Sequence, residues 1–178
     1  MFLTLIKKPV ALFLFLCYNI LILSYITPLG VIIYKQSLYN KSYNKEDPKG
    51  SSNIVYNKIY KYSKDKYISE AIANNSNYPI TLAAIAKVES DYRPQAIGDS
   101  GDSIGMFQIQ PKHHGAVPNR VPEQVKKADK IFSGLVKQHG YYEAIKRYNG
   151  SGKQAEQYRN KVLKIVQIIN TQQPINNS

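Results

Sequence analysis

Pro79-Ile80-Thr81-Leu82-Ala83-Ala84-Ile85-Ala86-Lys87-Val88-Glu89-Ser90 is the stretch from which the fold and the chemistry of this chain can be read. A proline suits the first position of a helix. Leu82, Ile85, Ala86 and Glu89 follow at i, i+3, i+4 and i+7, so the spacing predicts a helix with Glu89 at the end of its apolar face. A carboxyl group set against dry walls keeps its proton closer to neutral pH than one in water, as a general acid must. On the pattern alone, an ordinary surface glutamate near a helix end is the commoner arrangement.

Downstream, residues 90–105 hold Pro94, Gly98, Gly101 and Gly105 among several Asp and Ser, a composition that makes turns, read as a loop or small hairpin. Pro122 and Glu123 then open a periodic segment in which Val125, Ala128, Phe132 and Leu135 alternate spacings of three and four, up to Gly140. Tyr141, Ala144, Ile145 and Tyr148 predict a further short helix, closed by Asn149, Gly150 and Gly152. A last helix carries Tyr158, Val162, Ile165 and Ile169 on one stripe, and residues 171–178 read as a frayed, disordered tail. Upstream, Ile68, Ala71 and Ile72 stand at helical spacing before an Asn-rich break at Asn74–Asn77. With no run of alternating strands and no internal repeat, the expectation is a mainly α domain over residues 66–170.

Residues 35–65 are dominated by Lys, Tyr, Asn and Ser without a sustained period, and Pro48, Gly50, Ser51 and Ser52 fall together, so the stretch reads as a flexible spacer. From Pro9 to Tyr34 no residue carries a formal charge. That run exceeds the roughly 20 residues a helix needs to cross a bilayer, so residues 1–34 are expected to be one N-terminal transmembrane helix, or a signal segment that is not cleaved. Lysines flank the run on both sides, so the positive-inside rule does not set its orientation. The sole cysteine, Cys17, excludes an intramolecular disulfide and a multi-Cys metal site, and bulky Leu16 before it disfavours lipid attachment there.

The net charge is +12, of which residues 1–34 contribute only Lys7 and Lys8, leaving +10 on the remainder. Such a surface favours polyanions, whether acidic wall polymers, lipid headgroups or nucleic acid, and equally serves solubility.

Two segments change the reading of Glu89: Glu89-Ser90-Asp91-Tyr92-Arg93-Pro94-Gln95-Ala96, and Ile104-Gly105-Met106-Phe107-Gln108-Ile109-Gln110-Pro111. Together they resemble the signature of the lytic transglycosylases, a family similar in fold to goose-type lysozyme. That family pairs Glu-Ser-x-aromatic-x-Pro-x-Ala with Gly-x-Met-Gln-Ile and later shows an aromatic-Asn-Gly run, here Tyr148-Asn149-Gly150. The resemblance extends over roughly residues 66–165, because Ile80–Val88 looks like the helix leading to the catalytic glutamate and Tyr158–Leu163 like the closing helix. One such segment alone is weak; three in order are specific. Two departures stand out: the loop between Glu89 and Gln108 is slightly longer than usual, and Phe107 stands where the family commonly has Met.

The resemblance implies a lysozyme-like helical domain that cleaves peptidoglycan between MurNAc and GlcNAc. Glu89 would be the catalytic acid and then the base that lets the MurNAc C6 hydroxyl attack C1, leaving a 1,6-anhydro end without a second carboxylate. Gln108, Tyr148, Asn149 and Ser90 would be the substrate-binding residues, with Ser90 and Asn149 the more suited to holding local structure. A lysozyme-like hydrolase using Asp99 or Asp102 is the near alternative. A non-catalytic membrane-anchored module that binds wall polymers through Lys and Tyr is the distant one. The implied partners are glycan strands, the bacterial membrane, and a secretion, conjugation or phage machine, with no nucleic acid. The implied place is the outer or periplasmic side of the cytoplasmic membrane, on a single-pass anchor.

Two other motifs lack what their chemistry needs. Gly98-Asp99-Ser100-Gly101 resembles the nucleophile segment of chymotrypsin-like proteases, but His113, His114 and His139 all follow Ser100, against the order that family requires. Adjacent His113 and His114 diverge on any regular element, so no metal is expected, and no cofactor.

Overall fold

The computed structural model describes residues 48–171, with side chains from residue 52. They run through α1 (Pro48–Ser63), α2 (Lys66–Asn75), α3 (Pro79–Ser90), a hairpin of β1 (Ile97–Gly98) and β2 (Ser103–Ile104), the single-turn α4 (Pro111–His114), α5 (Val121–His139), α6 (Tyr141–Asn149) and α7 (Gly152–Thr171). The mainly helical expectation and the small hairpin are both found. The apolar run Pro9–Tyr34 and the tail after Thr171 lie outside the described residues. Among those described, no helix is long and apolar enough to cross a membrane.

α3 is the centre of the fold. Every residue from Pro79 to Ala86 is buried, so the expected apolar stripe is in fact the whole circumference of the helix over its first two turns, as befits one enclosed by neighbours. α1, α2, α5 and α7 all pack against it, and α6 closes the far side by packing on both α5 and α7. Ala83, Ala84 and Ala86 keep the α3 surface small enough for these helices to approach. Phe132 of α5 is wholly buried and takes Tyr78 edge-on, with ring centroids 5.2 Å apart.

The N-terminal boundary differs from the sequence expectation. Residues 48–63, read as the end of a flexible spacer, form α1, which packs on α2, α3 and α7. Ile59 is fully buried, Val55 and Tyr62 pack partly buried against the core, and Lys58 Nζ donates to the carbonyl of Asn170 in α7. Val55, Ile59 and Tyr62 stand at i, i+4 and i+7, a helical stripe too sparse to stand out among the polar residues around it.

The α2–α3 turn is fixed by the buried Asp129 of α5. Its carboxylate accepts from Ser76 Oγ at 2.8 Å and from both the backbone and the side-chain amide of Asn77 at 2.7 Å. Those three bonds satisfy a polar group that would otherwise be costly to bury.

Candidate active site

The site begins where α3 ends. Glu89 is its penultimate residue, and the chain reverses immediately after Ser90 because Asp91 and Tyr92 both adopt left-handed conformations, with φ of 55° and 61°. Such angles are unfavourable for residues bearing a Cβ and persist only where the surroundings enforce them. Here the backbone amides of Asp91 and Tyr92 donate to the carbonyls of Lys87 and Ala86, and Tyr92 itself is buried.

Ser90 is the pin of this reversal. It is buried, its hydroxyl donates to the carbonyl of Met106 at 2.8 Å, and it accepts from the amide of Arg93 at 3.1 Å. It is not among the residues that line the cleft, and its hydrogen bonds join the two motif segments.

The hairpin pairs Ile97 with Ile104 and Gly98 with Ser103. Gly105, at φ 81°, then turns the chain, and a Cβ there would fall 2.7 Å from Oε1 of Gln124. Gln124 is buried on α5 and reaches across, accepting from the amide of Met106 at 2.8 Å and donating to the carbonyl of Pro94 at 2.9 Å. Phe107, the departure from the family pattern, is wholly buried and so is a packing residue.

Gln108, at φ 46°, follows. Its Nε2 donates to the carbonyl of Gly105 at 2.9 Å and to that of Ala96 at 3.3 Å. Its Oε1 occupies the space that a Cβ on Gly98 would need, only 2.1 Å from that position. The glycine of the hairpin therefore exists to admit the glutamine.

These elements enclose a cleft of about 660 Å³ whose lining includes Glu89, Gln108, Tyr148 and Asn149, four of the five residues that resemblance singled out. Asn149 is the last residue of α6, at the exposed rim. Tyr148 donates its hydroxyl to the carbonyl of Phe107 at 3.2 Å, and burial together with the charge of Glu89 pushes its pKa up, so it stays a neutral donor.

Glu89 itself is mostly buried, and Tyr158 of α7 donates its hydroxyl to Oε1 at 2.6 Å. Burial pushes the Glu89 carboxyl up to about 7, the Tyr158 hydrogen bond pulls against it, and the negative charge of Asp99 adds to the rise. Burial of Tyr158 and the adjoining Glu89 in turn hold that phenol well above its ordinary value. A carboxyl poised near neutrality in a cleft can give a proton to an oxygen and take one back.

Of the two aspartates weighed as a second carboxylate, Asp99 lines the cleft and accepts from Ser103 Oγ. Asp102 does not: it faces Lys112 at 3.6 Å and is largely exposed. The rings of His113 and His114 are 6.4 Å apart, and among the described residues no three His, Cys, Asp or Glu are grouped to hold a metal ion.

Tyr158 is the residue that sequence reasoning passed over. It was legible only as one position of an apolar stripe in the last helix, although it lies within the segment that resembles the family's closing helix. That a stripe residue turns its hydroxyl to an acid 69 positions away is a matter of packing, not of local pattern.

The model of the transglycosylase SLT domain family matches residues 66–165. No curated protein and no solved structure is significantly similar to the chain.

Proposed function

Since this chain belongs to the transglycosylase SLT domain family, we propose that it is a lytic transglycosylase that cleaves the MurNAc–GlcNAc bond of peptidoglycan and leaves a 1,6-anhydroMurNAc end. The observation that carries this reading is the state of Glu89: largely buried, held by Tyr158, raised to about 7 and open to a cleft.

In the proposed reaction the protonated Glu89 gives its proton to the glycosidic oxygen as the bond from C1 to that oxygen breaks. The C6 hydroxyl of the same MurNAc attacks C1, and the Glu89 carboxylate takes the hydroxyl proton. The acid is regenerated, and no water is consumed. Gln108, braced by two backbone carbonyls, and Tyr148, braced by Phe107, are rigid sides for the glycan. Rigidity matters because positioning supplies much of the rate in a reaction within one molecule.

Asp99 favours a second reading. It lines the same cleft, and its charge is felt at Glu89, which supports it as the carboxylate with which a hydrolase would activate water or stabilise an oxocarbenium ion. Digestion of purified peptidoglycan by the full chain and by its Glu89→Gln variant, with mass spectrometry of the sugar ends, separates the two. Anhydro ends that vanish in the variant support the transglycosylase. Reducing ends that vanish in the variant support the hydrolase, and a wild-type chain that cleaves nothing rejects both.

The apolar run Pro9–Tyr34 supports a membrane anchor, with the cleft on the side of the membrane that faces the wall.

A further inference from the structure

A second groove, of about 720 Å³, shares no lining residue with the cleft around Glu89. It is large enough to take several side chains of a ligand. The start of α2, the loop from Tyr92 to Ala96, β1 and the start of α5 bound it. Ile68, Tyr92 and Val121, all buried, make its apolar floor.

Two features set this groove apart from ordinary surface. Tyr67 and Ile97 line it although they are 55% and 74% exposed, and Ile97 is the most exposed large apolar side chain among the described residues. Such side chains standing singly need no explanation, but two on one groove over an apolar floor mark an interaction surface. Arg93 and Arg120 are the second feature. Each is tied at one nitrogen, Arg93 by Nε to the carbonyl of Ser90 at 2.7 Å and Arg120 by Nη1 to Glu123 at 3.2 Å, and each keeps further N–H donors on an exposed residue. The acid of the lining, Asp65, is spent on capping α2, where its Oδ1 accepts from the amide of Ile68 at 2.9 Å. The groove therefore offers positive charge beside apolar surface, and tyrosine and arginine are the side chains that most often carry binding energy at protein interfaces. Arg93 and Gln95 occupy positions that the Glu-Ser-x-aromatic-x-Pro-x-Ala pattern leaves open, so this part of the rim is set by the chain and not by the motif.

We propose that this groove docks an extended segment of a partner protein in which an acidic side chain adjoins a large apolar one, with the carboxylate on Arg93 and Arg120 and the apolar group against Tyr67 and Ile97. A second copy of this chain fits poorly, because at a net charge of +12 it brings like charge to the arginines. A nucleic-acid backbone would match the arginines and leave the exposed apolar side chains unused. The surface lies apart from the reacting centre, and its role holds whichever reaction Glu89 performs.

To test this, the full chain in detergent micelles is panned against a displayed library of random peptides. The strongest binder is then synthesised, together with the same peptide in which amides replace its acids. The expected consensus sets Asp or Glu beside Leu, Phe or Trp. The selected peptide should bind the wild type about tenfold more tightly than its amide counterpart, the worth of one charge-assisted contact. Arg120→Glu and Tyr67→Ser should each weaken it about tenfold or more. Both side chains are largely exposed, so thermal unfolding of the two variants should match the wild type, and the comparison of the peptide with its amide counterpart needs no variant at all.

A library that yields no acidic and apolar consensus, or a selected peptide held equally by the wild type and both variants, would overturn the inference. So would binding that is lost in Gln108→Ala and kept in both groove variants, which would put the peptide in the cleft. A dimer in sedimentation that Tyr67→Ser dissolves would make the occupant a second copy and overturn it as well.

Discussion

In the proposed reaction the chemistry rests on one proton, that of Glu89. In the folded protein its carboxyl keeps that proton up to about pH 7, while in the unfolded chain it ionises near 4.5. Between those values unfolding releases a proton, so rising pH favours the unfolded state. Stability declines from about pH 4.5, and the loss is complete above about 7, at a cost of roughly 3 kcal/mol. Glu89→Gln cannot ionise, so it should unfold at a higher temperature than the wild type at pH 8 and at nearly the same temperature at pH 4. Its activity should fall by about 10²- to 10⁴-fold, the usual contribution of a general acid. The neighbours should move the alkaline limb of kcat/KM in opposite directions. Tyr158→Phe removes the donor that favours the carboxylate and should shift the limb to higher pH; Asp99→Asn removes the charge that opposes ionisation and should shift it lower. pH–rate profiles that leave both limbs in place would show that neither group acts on Glu89. The acid and its motif neighbours could be read along the chain, because Glu89-Ser90 and Gln108 lie in specific patterns. Tyr158 could not, because an apolar stripe does not say which member carries a hydroxyl inward.

At the scale of elements, the hairpin and the turn after it are held from α5. Gln124 bonds Met106 on one side and Pro94 on the other, and Gly105 leaves room for it while holding φ at 81°. Gly105→Ala would place a methyl group 2.7 Å from Gln124 Oε1 in a conformation that L residues avoid. The expected cost is about 2–4 kcal/mol, the sum of an unfavourable φ and a disrupted buried amide, to be read from denaturant unfolding. Gly98→Ala meets only the tip of the Gln108 side chain. It should therefore cost less stability, about 1–2 kcal/mol for the displaced hydrogen bonds, while lowering activity more, because Gln108 lines the cleft. The glycines themselves were legible as turn formers, but Gln124 read as an ordinary helix residue. Its partners are 18 and 30 positions away, and no periodicity encodes them.

For the molecule as a whole, the family match begins at residue 66 but the fold begins earlier. α1 covers α2, α3 and α7 with the fully buried Ile59 and the flanking Val55 and Tyr62. A chain starting at Lys64 would expose that surface and forfeit about 3–6 kcal/mol of apolar burial, a large part of the stability of a domain this size. It should melt well below a chain starting at Asp47, or fail to refold, in a thermal scan of the two. Sequence by itself determined the helical class, the boundaries of α3, α5 and α6, the apolar stripe of α7, and the place of Glu89 at the end of α3. Apolar spacing, prolines at helix starts and glycines at helix ends are local signals, written within one or two turns of the residues they govern. Only the tertiary structure decided that α1 belongs to the fold, that Ser90 bonds Met106 across the two motif segments, that Asp99 and not Asp102 lines the cleft, and that Tyr158 reaches Glu89. Each of those depends on contacts between distant segments, and the same side chain on the same helix face serves packing or chemistry according to what the fold sets opposite it.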